Sequence, residues 1–318
     1  MTITWRPGTL ADIEPGLSIL PGHRGDALVG TKAAAAIWQD MGRDPFFASA
    51  AIESSPAIKG CRLLAYGASV MVSHAFADAE IENPQPEINS RIIASIHAGR
   101  PVLATRTQVA RFNAGEGVDV VVLNGTWRYG ILEPGDLQDV HTLFAKSFIE
   151  RHSGFRIRRI LQETVSEPES EFLLGSGVWR VFAKYAELGR VLHLMTRETA
   201  TIAPASIGNI LFSYKEPLLR LRESDQELLL AAVSGCTDAE LTLQLGVTLS
   251  AVKARWRSVI AVIEETMPEL VRDADNREGR GMQKRHRVLG YVRSHPEELR
   301  PFDWSKKKDR SVVAIERA

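Results

Sequence analysis

The spacing of apolar residues changes character along the chain. In the first 165 residues, short apolar runs bounded by turn-forming residues predict strands, and apolar positions three and four apart predict helices. The predicted strands are TITWRP (2–7), CRLLAYGASVMVSHAF (61–76), RIIASI (91–96), VDVVVL (118–123) and FRIRRILQETV (155–165). The predicted helices are 9–20, 31–53 with an interruption near Pro45, and 136–154. Strands that alternate with helices predict an α/β domain around a mixed sheet.

Polar and small residues mark the predicted boundaries. SEPESE (166–171) has the composition of a surface loop, and TIAPASIGN (201–209) is polar and contains a proline, so we place the domain break after residue 200. The predicted fold class is an α/β N-terminal domain followed by an all-α C-terminal helix-turn-helix domain. The predicted parts are a sensory or dimerisation domain over 1–200, a linker over 201–217, the helix-turn-helix over 218–265, and a basic helical extension and tail over 266–318.

Helix-capping patterns indicate three short helices in the C-terminal third. Ser224 and Thr237 are each followed three residues later by a glutamate, which is the capping-box pattern at the start of a helix. The second helix ends at Gly246, and Thr248 is the predicted N-cap of the third. Three short helices, of which the last two are joined by a tight Gly-Val-Thr turn, predict a helix-turn-helix.

The third predicted helix has an apolar face and a polar face. At about 100° per residue, the side chains expected to face the core are Val252, Trp256, Val259 and Ile263. Ser250, Ala254 and Arg257 point the opposite way, and Lys253 and Arg255 lie on the two flanks. Small and hydrogen-bonding side chains beside cations suit a DNA-recognition helix, because the former read base edges and the latter bind phosphates. Arg257 is a candidate for a bidentate contact to guanine. The alternative is a structural bundle with a basic surface.

Charge supports nucleic-acid binding only locally. The chain has 39 basic and 39 acidic side chains, so its net charge gives no overall attraction to a polyanion. Residues 248–263 nevertheless contain three cations and no acid, and residues 277–293 contain six cations and one acid. Lys284, Arg285 and Arg287 are candidate contacts to the DNA backbone, and the alternative is a packing helix with a solvated basic face. KKKDR (306–310) reads as a tail with weak, salt-sensitive attraction to DNA.

Residues 221–263 resemble the C-terminal helix-turn-helix of LuxR/FixJ-type bacterial transcription regulators. The matching positions are Leu221, Glu227, Leu229, Gly235, Thr237, Glu240, Leu241, Leu245, Gly246, Val247, Val252, Lys253 and Val259. Members bind DNA through the third helix, usually as dimers, so the resemblance implies a homodimer. It also implies DNA contacts for Thr248, Ser250, Lys253, Arg255 and Arg257. Thr242, Ala251 and Arg255 depart from the residues that are usual in the family.

The N-terminal segment 3–20 resembles the first strand and helix of the GNAT acetyltransferase fold. That family holds the pyrophosphate of acetyl-CoA on an R/Q-x-x-G-x-G/A loop at a helix N-terminus. After RIIASI, where the resemblance places that loop, the chain reads HAGRPVLATRT and lacks the spacing. Gly115-Glu116-Gly117 has Phe112 in place of the Arg or Gln and leads into a predicted strand. Acetyl transfer is the alternative function that this resemblance implies, although the loop that holds acetyl-CoA in that family is not found in the sequence.

Other chemistry finds little support in the sequence. A phosphoacceptor receiver domain requires an acidic pair after its first strand, which is missing, and the pocket of an acyl-homoserine-lactone sensor cannot be aligned. His74, His97, His141 and His152 are not at metal-site or catalytic-triad spacing. Cys61 and Cys236 have no CxxC neighbour, which is typical of a reducing compartment. We predict no catalytic residue, cofactor or metal.

The sequence as a whole predicts a cytoplasmic, sequence-specific DNA-binding transcription regulator. The start of the chain has no apolar signal segment, and no apolar run reaches the roughly 18 to 20 residues needed to span a bilayer. The predicted partners are double-stranded DNA, a second copy of the chain and a small-molecule effector of the N-terminal domain. A third interpretation is an adaptor or σ-factor-like protein. The candidate DNA-binding residues are Thr237, Thr248, Ser250, Lys253, Ala254, Arg255, Arg257, Lys284, Arg285 and Arg287.

Overall fold

The computed structural model of the chain describes residues 1–19, 32–202, 206–272 and 280–306. The chain divides into two units. The unit that contains the strands, called the sheet unit below, comprises residues 1–109, 116–152 and 157–212. The second unit comprises residues 110–115, 153–156 and 213–318.

Seven strands form one mixed sheet in the sheet unit. They are β1 (Thr2–Pro7), β2 (Ala48–Ile58), β3 (Cys61–Val72), β4 (Val118–Trp127), β5 (Ile157–Thr164), β6 (Arg180–Tyr185) and β7 (Arg190–Thr196). Their order across the sheet is β1-β2-β3-β4-β5-β7-β6. All neighbours are antiparallel except β4 and β5, which run parallel. The apolar residues of β4 are buried because this strand lies in the middle of the sheet.

Helices lie between and after these strands in the chain, and several of them pack on the two faces of the sheet. They are α1 (Ile13–Leu17), α2 (Lys32–Met41), α3 (His74–Glu82), α4 (Ile88–His97), α5 (Arg106–Ala114), α6 (Pro134–His152), α7 (Glu167–Gly175) and α8 (Arg197–Ile202). On one face, Val121 and Leu123 of β4 join a core with Trp38 of α2 and Ile92 of α4. Another core gathers Ile52, Leu64, Trp127, Val140 and Phe144, and so joins the sheet to α6.

The second unit is built from short helices around a core of its own. They are α9 (Glu223–Val233), α10 (Asp238–Leu245), α11 (Leu249–Thr266), α12 (Glu269–Arg272) and α13 (Arg280–Ser294). Leu228 of α9, Leu241 of α10, Val252 of α11 and Val288 of α13 are all buried in this core. Glu298 is buried as well, and it accepts hydrogen bonds of 2.9 Å from the backbone N–H groups of Leu218 and Leu219.

The predicted fold class, an α/β domain followed by a separate all-α domain, is wrong. The structure has a seven-stranded mixed sheet whose strands extend from Thr2 to Thr196, with helices between them. The second unit does not simply follow the first along the chain, because it also includes residues 110–115 and 153–156. Hydrophobic spacing shows which face of a segment is buried, but it does not show which core receives that face.

Several individual elements also differ from the prediction. RIIASI lies in helix α4, whose buried Ile88, Ile92 and Ile93 are spaced as on one side of a helix. The predicted helix 31–53 ends at Met41, and its last residues belong to β2. Short apolar runs satisfy helical and strand patterns alike, and only their tertiary neighbours select one of them.

Two helix starts were also misjudged. SEPESE is not a loop, since α7 begins at Glu167 with a proline and two acids in its first turn, a composition that suits a helix N-terminus. Ser224 is not an N-cap, because α9 begins at Glu223, one residue earlier, behind Arg222. The start of a helix is harder to predict than its existence, because helix boundaries commonly vary by one or two residues.

Candidate functional site

The turn between α10 and α11 has the predicted capping geometry. Thr237 caps α10 in a reciprocal box, in which its Oγ1 accepts from the Glu240 N–H at 3.3 Å and its own N–H donates to Glu240 Oε2 at 2.7 Å. Gly246 ends α10 in the left-handed conformation, with φ of 62°. Thr248 then caps α11 by accepting from the Ala251 N–H at 3.2 Å. These three predictions are confirmed.

One face of α11 is buried as the periodicity predicted. Val252, Trp256, Val259 and Ile263 are each 3% exposed or less. They pack in a core with residues of α9, α10 and α13. The direction of every other side chain on α11 follows from this, because a helix that buries one stripe presents the opposite stripe outward.

The opposite face of α11 carries four of the candidate DNA-binding residues. Ser250, Lys253, Ala254 and Arg257 are all exposed and lie within an arc of about 100°. Within the part of the chain that the structure describes, neither Lys253 nor Arg257 has an ion-pair partner. Ser250 Oγ lies 2.9 Å from Thr248 Oγ1, which holds this hydroxyl near the start of the helix.

Arg255 is directed elsewhere. Its Nη1 donates to the backbone carbonyl of Ser224 at 3.2 Å and lies 3.5 Å from Glu227 Oε2. The guanidinium therefore ties α11 to the start of α9, where part of its charge is neutralised. The periodicity of α11 placed Arg255 on the flank of the helix, but it could not predict the contact with Glu227.

The three cations predicted beyond the motif are held within the second unit. Arg285 donates to both carboxylate oxygens of Asp238 at 3.0 Å, and its guanidinium lies 4.8 Å from the centre of the Trp256 ring. Lys284 is 2.8 Å from Glu264. Arg287 donates to the Leu270 carbonyl at 3.5 Å. In this arrangement the three side chains join α13 to neighbouring segments. Residues 307–310 of the predicted basic tail lie outside the described residues.

The acetyl-CoA loop that the GNAT resemblance implied has no counterpart where it was expected. RIIASI forms part of a helix, so the segment after it does not follow a strand. Gly115-Glu116-Gly117 follows α5 and leads into β4. Acetyl transfer remains a prediction, which calorimetry with acetyl-CoA can test.

Sequence reasoning missed a buried polar residue of the sheet unit, Asn124. The Asn-Gly pair after VDVVVL is typical of turns and predicts the end of this strand, but β4 continues through Asn124 and Gly125 to Trp127. Asn124 is therefore a carboxamide in the interior of a central strand, and it lines a cavity between the sheet and helices α6 and α7. A polar residue between two apolar stretches was the available signal, and the turn propensity of Asn-Gly concealed it.

No protein-family model matches the sequence, and no curated protein matches it either. The resemblances to LuxR-type regulators and to GNAT enzymes accordingly remain predictions. Over residues 1–19, 32–202, 206–272 and 280–306, no helix combines the length and apolar content needed to cross a bilayer. The same residues contain no group of three or more histidine, cysteine or acidic side chains placed to hold a metal ion.

Proposed function

We propose that the protein is a sequence-specific DNA-binding transcription regulator that reads DNA with α11. The observation that carries this proposal is the exposed stripe of Ser250, Lys253, Ala254 and Arg257 opposite the buried face of the same helix. An α-helix fits the major groove of B-form DNA, and side chains on one stripe of it can reach base edges. The short turn before α11 supports the proposal, because it exposes the first turn of the helix.

Among the described residues, no acid neutralises the charge of this stripe. Arg255, Lys284 and Arg285 each have an acid within 3.5 Å, whereas Lys253 and Arg257 have none among the described residues. Unpaired cations four residues apart on a helix repel one another weakly, and an anionic partner removes that repulsion. A polyphosphate backbone is such a partner.

The proposal divides the work among the residues of the stripe. Ser250, Ala254 and Arg257 face the base edges, where Arg257 can donate two hydrogen bonds to one guanine. Lys253 lies beside them and neutralises a phosphate. The candidates Arg255 and Arg285 act indirectly, because the ion pair of Arg255 fixes α11 against α9 and that of Arg285 fixes α13 against α10. A homodimer, which the LuxR resemblance implies, would recognise two half-sites related by two-fold symmetry.

Selection of sheared genomic DNA on the purified full chain at physiological salt, followed by sequencing, tests the proposal. The same selection is carried out with the double variant Ser250→Ala/Arg257→Ala. The matched control is Arg222→Ala, which changes an exposed arginine of the same unit outside α11. We expect one enriched motif for the wild type and the control, and loss of that motif in the double variant. A two-fold symmetric motif would support the dimer. The same motif in all three proteins would contradict reading by α11.

A further inference from the structure

The sheet unit contains a cavity of about 140 Å³ between the sheet and helices α6 and α7. Its walls are largely apolar, and their aromatic members are Phe144, Phe148, Phe172 and Trp179. Cavities of this size with apolar walls hold molecules about as large as benzene. The cavity is thus wide enough for a single ring and too small for a long chain or a nucleotide.

Most polar side chains that line the cavity already have partners in the protein. Ser69 Oγ lies 3.0 Å from His152 Nε2. Ser147 Oγ donates to the Phe144 carbonyl at 2.9 Å, and Ser176 Oγ donates to the Leu173 carbonyl at 2.7 Å. Because these hydroxyl groups and this imidazole already form hydrogen bonds within the protein, they have little need of a hydrogen bond to a ligand in the cavity.

Asn124 differs from these residues. Its side chain is 5% exposed, and neither Nδ2 nor Oδ1 has a hydrogen-bond partner within the described part of the chain. The pairing of β4 with β5 stops at Val122 and Gln162, so Asn124 lies just beyond the point where the two strands cease to be hydrogen-bonded. Buried amide groups are almost always hydrogen-bonded, so an unsatisfied one that lines a cavity marks a place where a bound molecule can gain hydrogen bonds.

We infer that the cavity binds a neutral, ring-sized organic molecule that carries a carboxamide group. Asn124 presents two N–H donors and one carbonyl acceptor, so a partner must both accept and donate to satisfy it. A carboxamide does both, because its C=O accepts from Nδ2 while its N–H donates to Oδ1. A carboxylate only accepts and would leave Oδ1 without a partner, and a hydrocarbon would leave both atoms unsatisfied. The aromatic walls then surround the ring of the ligand.

The cavity has an opening that a small molecule can use. Its lining residues on α6 include the partly exposed Ala145 and Phe148 and the exposed Arg151, and the exposed Ser176, directly after α7, lines it as well. The opening therefore lies between these two helices, whereas Asn124 lies on the wall formed by the sheet. A ligand that enters between the helices would meet the apolar walls before its carboxamide reaches Asn124.

The test of this site does not depend on the proposed DNA recognition. All the residues that form it belong to the sheet unit. Binding of a small molecule can be measured whether or not the protein binds DNA, so failure of one proposal leaves the other standing.

Titration of the full chain with four probes of nearly equal size tests the inference: benzamide, benzoate, acetophenone and toluene. Isothermal calorimetry, supported by ligand-observed NMR for weak binding, gives the dissociation constants. We expect benzamide to bind at least tenfold more tightly than each of the other three. The variant Asn124→Leu should bind toluene as well as the wild type does, or better, and should lose the preference for benzamide.

A second variant keeps the test valid if Asn124→Leu does not fold. Ala145→Leu narrows the opening from the partly exposed side of α6 and should weaken binding of benzamide and toluene alike. Its matched control is Ala239→Leu, the same change at an exposed position of α10, which should have no effect. No binding of any probe to the wild type would overturn the inference. Preference for benzoate, or an unchanged benzamide preference in Asn124→Leu, would do so equally.

Discussion

His193 on β7 is fully buried in the sheet unit, and this burial lowers its pKa to about 4. Its Nε2 lies 3.1 Å from Thr164 Oγ1 and 3.2 Å from Ser170 Oγ. An unfolded histidine titrates near pH 6.5, so between about pH 4 and 6.5 the unfolded chain binds a proton that the folded chain does not. The neutral imidazole therefore contributes stability above pH 6.5, and this contribution decreases as the pH falls towards 4.

We predict that His193→Gln makes the stability of the protein less sensitive to acid. The pKa shift corresponds to at most roughly 3 kcal/mol of unfolding free energy between pH 7 and pH 4, and the variant lacks this titration. Urea unfolding, followed by circular dichroism at pH 7, 5.5 and 4.5, gives the free energy of unfolding of the wild type and the variant at each pH. His97→Gln, at an exposed position, is the control and should keep the wild-type pH dependence. An equal pH dependence in His193→Gln would contradict the assignment.

Asn124 is a single residue whose structural role could not be predicted from its local sequence. The residue is visible in the sequence, yet Asn-Gly is also the commonest signal for a tight turn. Its role depends on whether the chain turns there or continues, and that choice is made by β3, which pairs with β4 on both sides of Asn124. Local propensity alone therefore gave the wrong answer.

Among the elements, α10 and α11 agree best with their prediction. Each is preceded by an N-cap threonine whose Oγ1 accepts a hydrogen bond from the backbone N–H three residues later, at Glu240 in α10 and at Ala251 in α11. Such caps involve only a few consecutive residues, which is why a sequence can predict them. Helices α4 and α7 were misread because their apolar positions or their turn residues also fit a strand or a loop.

We predict that Thr237→Ala lowers the free energy of unfolding by about 1 kcal/mol, because the N-terminal N–H groups of α10 lose their acceptor. Thr242→Ala is the matched control, since Thr242 lies inside α10 and bonds only to the Ala239 carbonyl of its own helix. Denaturant unfolding of both variants measures the difference. The prediction fails if Thr242→Ala destabilises the protein as much as Thr237→Ala does.

On the scale of the whole molecule, the net charge is zero, but among the described residues some cations are paired with acids and others are not. The chain has equal numbers of basic and acidic residues, and the structure pairs several of its cations with acids. In the proposed function, attraction to DNA comes from cations without an acidic partner in the described part of the chain, of which Lys253 and Arg257 lie on the exposed stripe of α11. The salt dependence of binding should be correspondingly modest, since each phosphate contact contributes about 0.9 to the slope of log K against log salt.

We predict that Lys253→Ala reduces the salt slope of DNA binding by about one and weakens binding to all sequences alike. The control is Lys215→Ala, an exposed lysine outside α11, which should leave the slope unchanged. Fluorescence anisotropy with a labelled duplex between about 50 and 200 mM salt gives both slopes. Equal slopes for wild type and Lys253→Ala would show that this lysine does not contact phosphate.

The sequence by itself determined the caps, the buried stripe and the exposed stripe of α11, because these depend on hydrogen bonds and periodicity within about 20 consecutive residues. It also predicted strands β1, β3, β4 and β5 from their apolar runs. Only the tertiary structure decided the order of the seven strands, the ion pairs that engage Arg255 and Arg285, and the cavity beside Asn124. Each of these joins residues far apart in the chain, and no local pattern records which distant neighbour a side chain will meet.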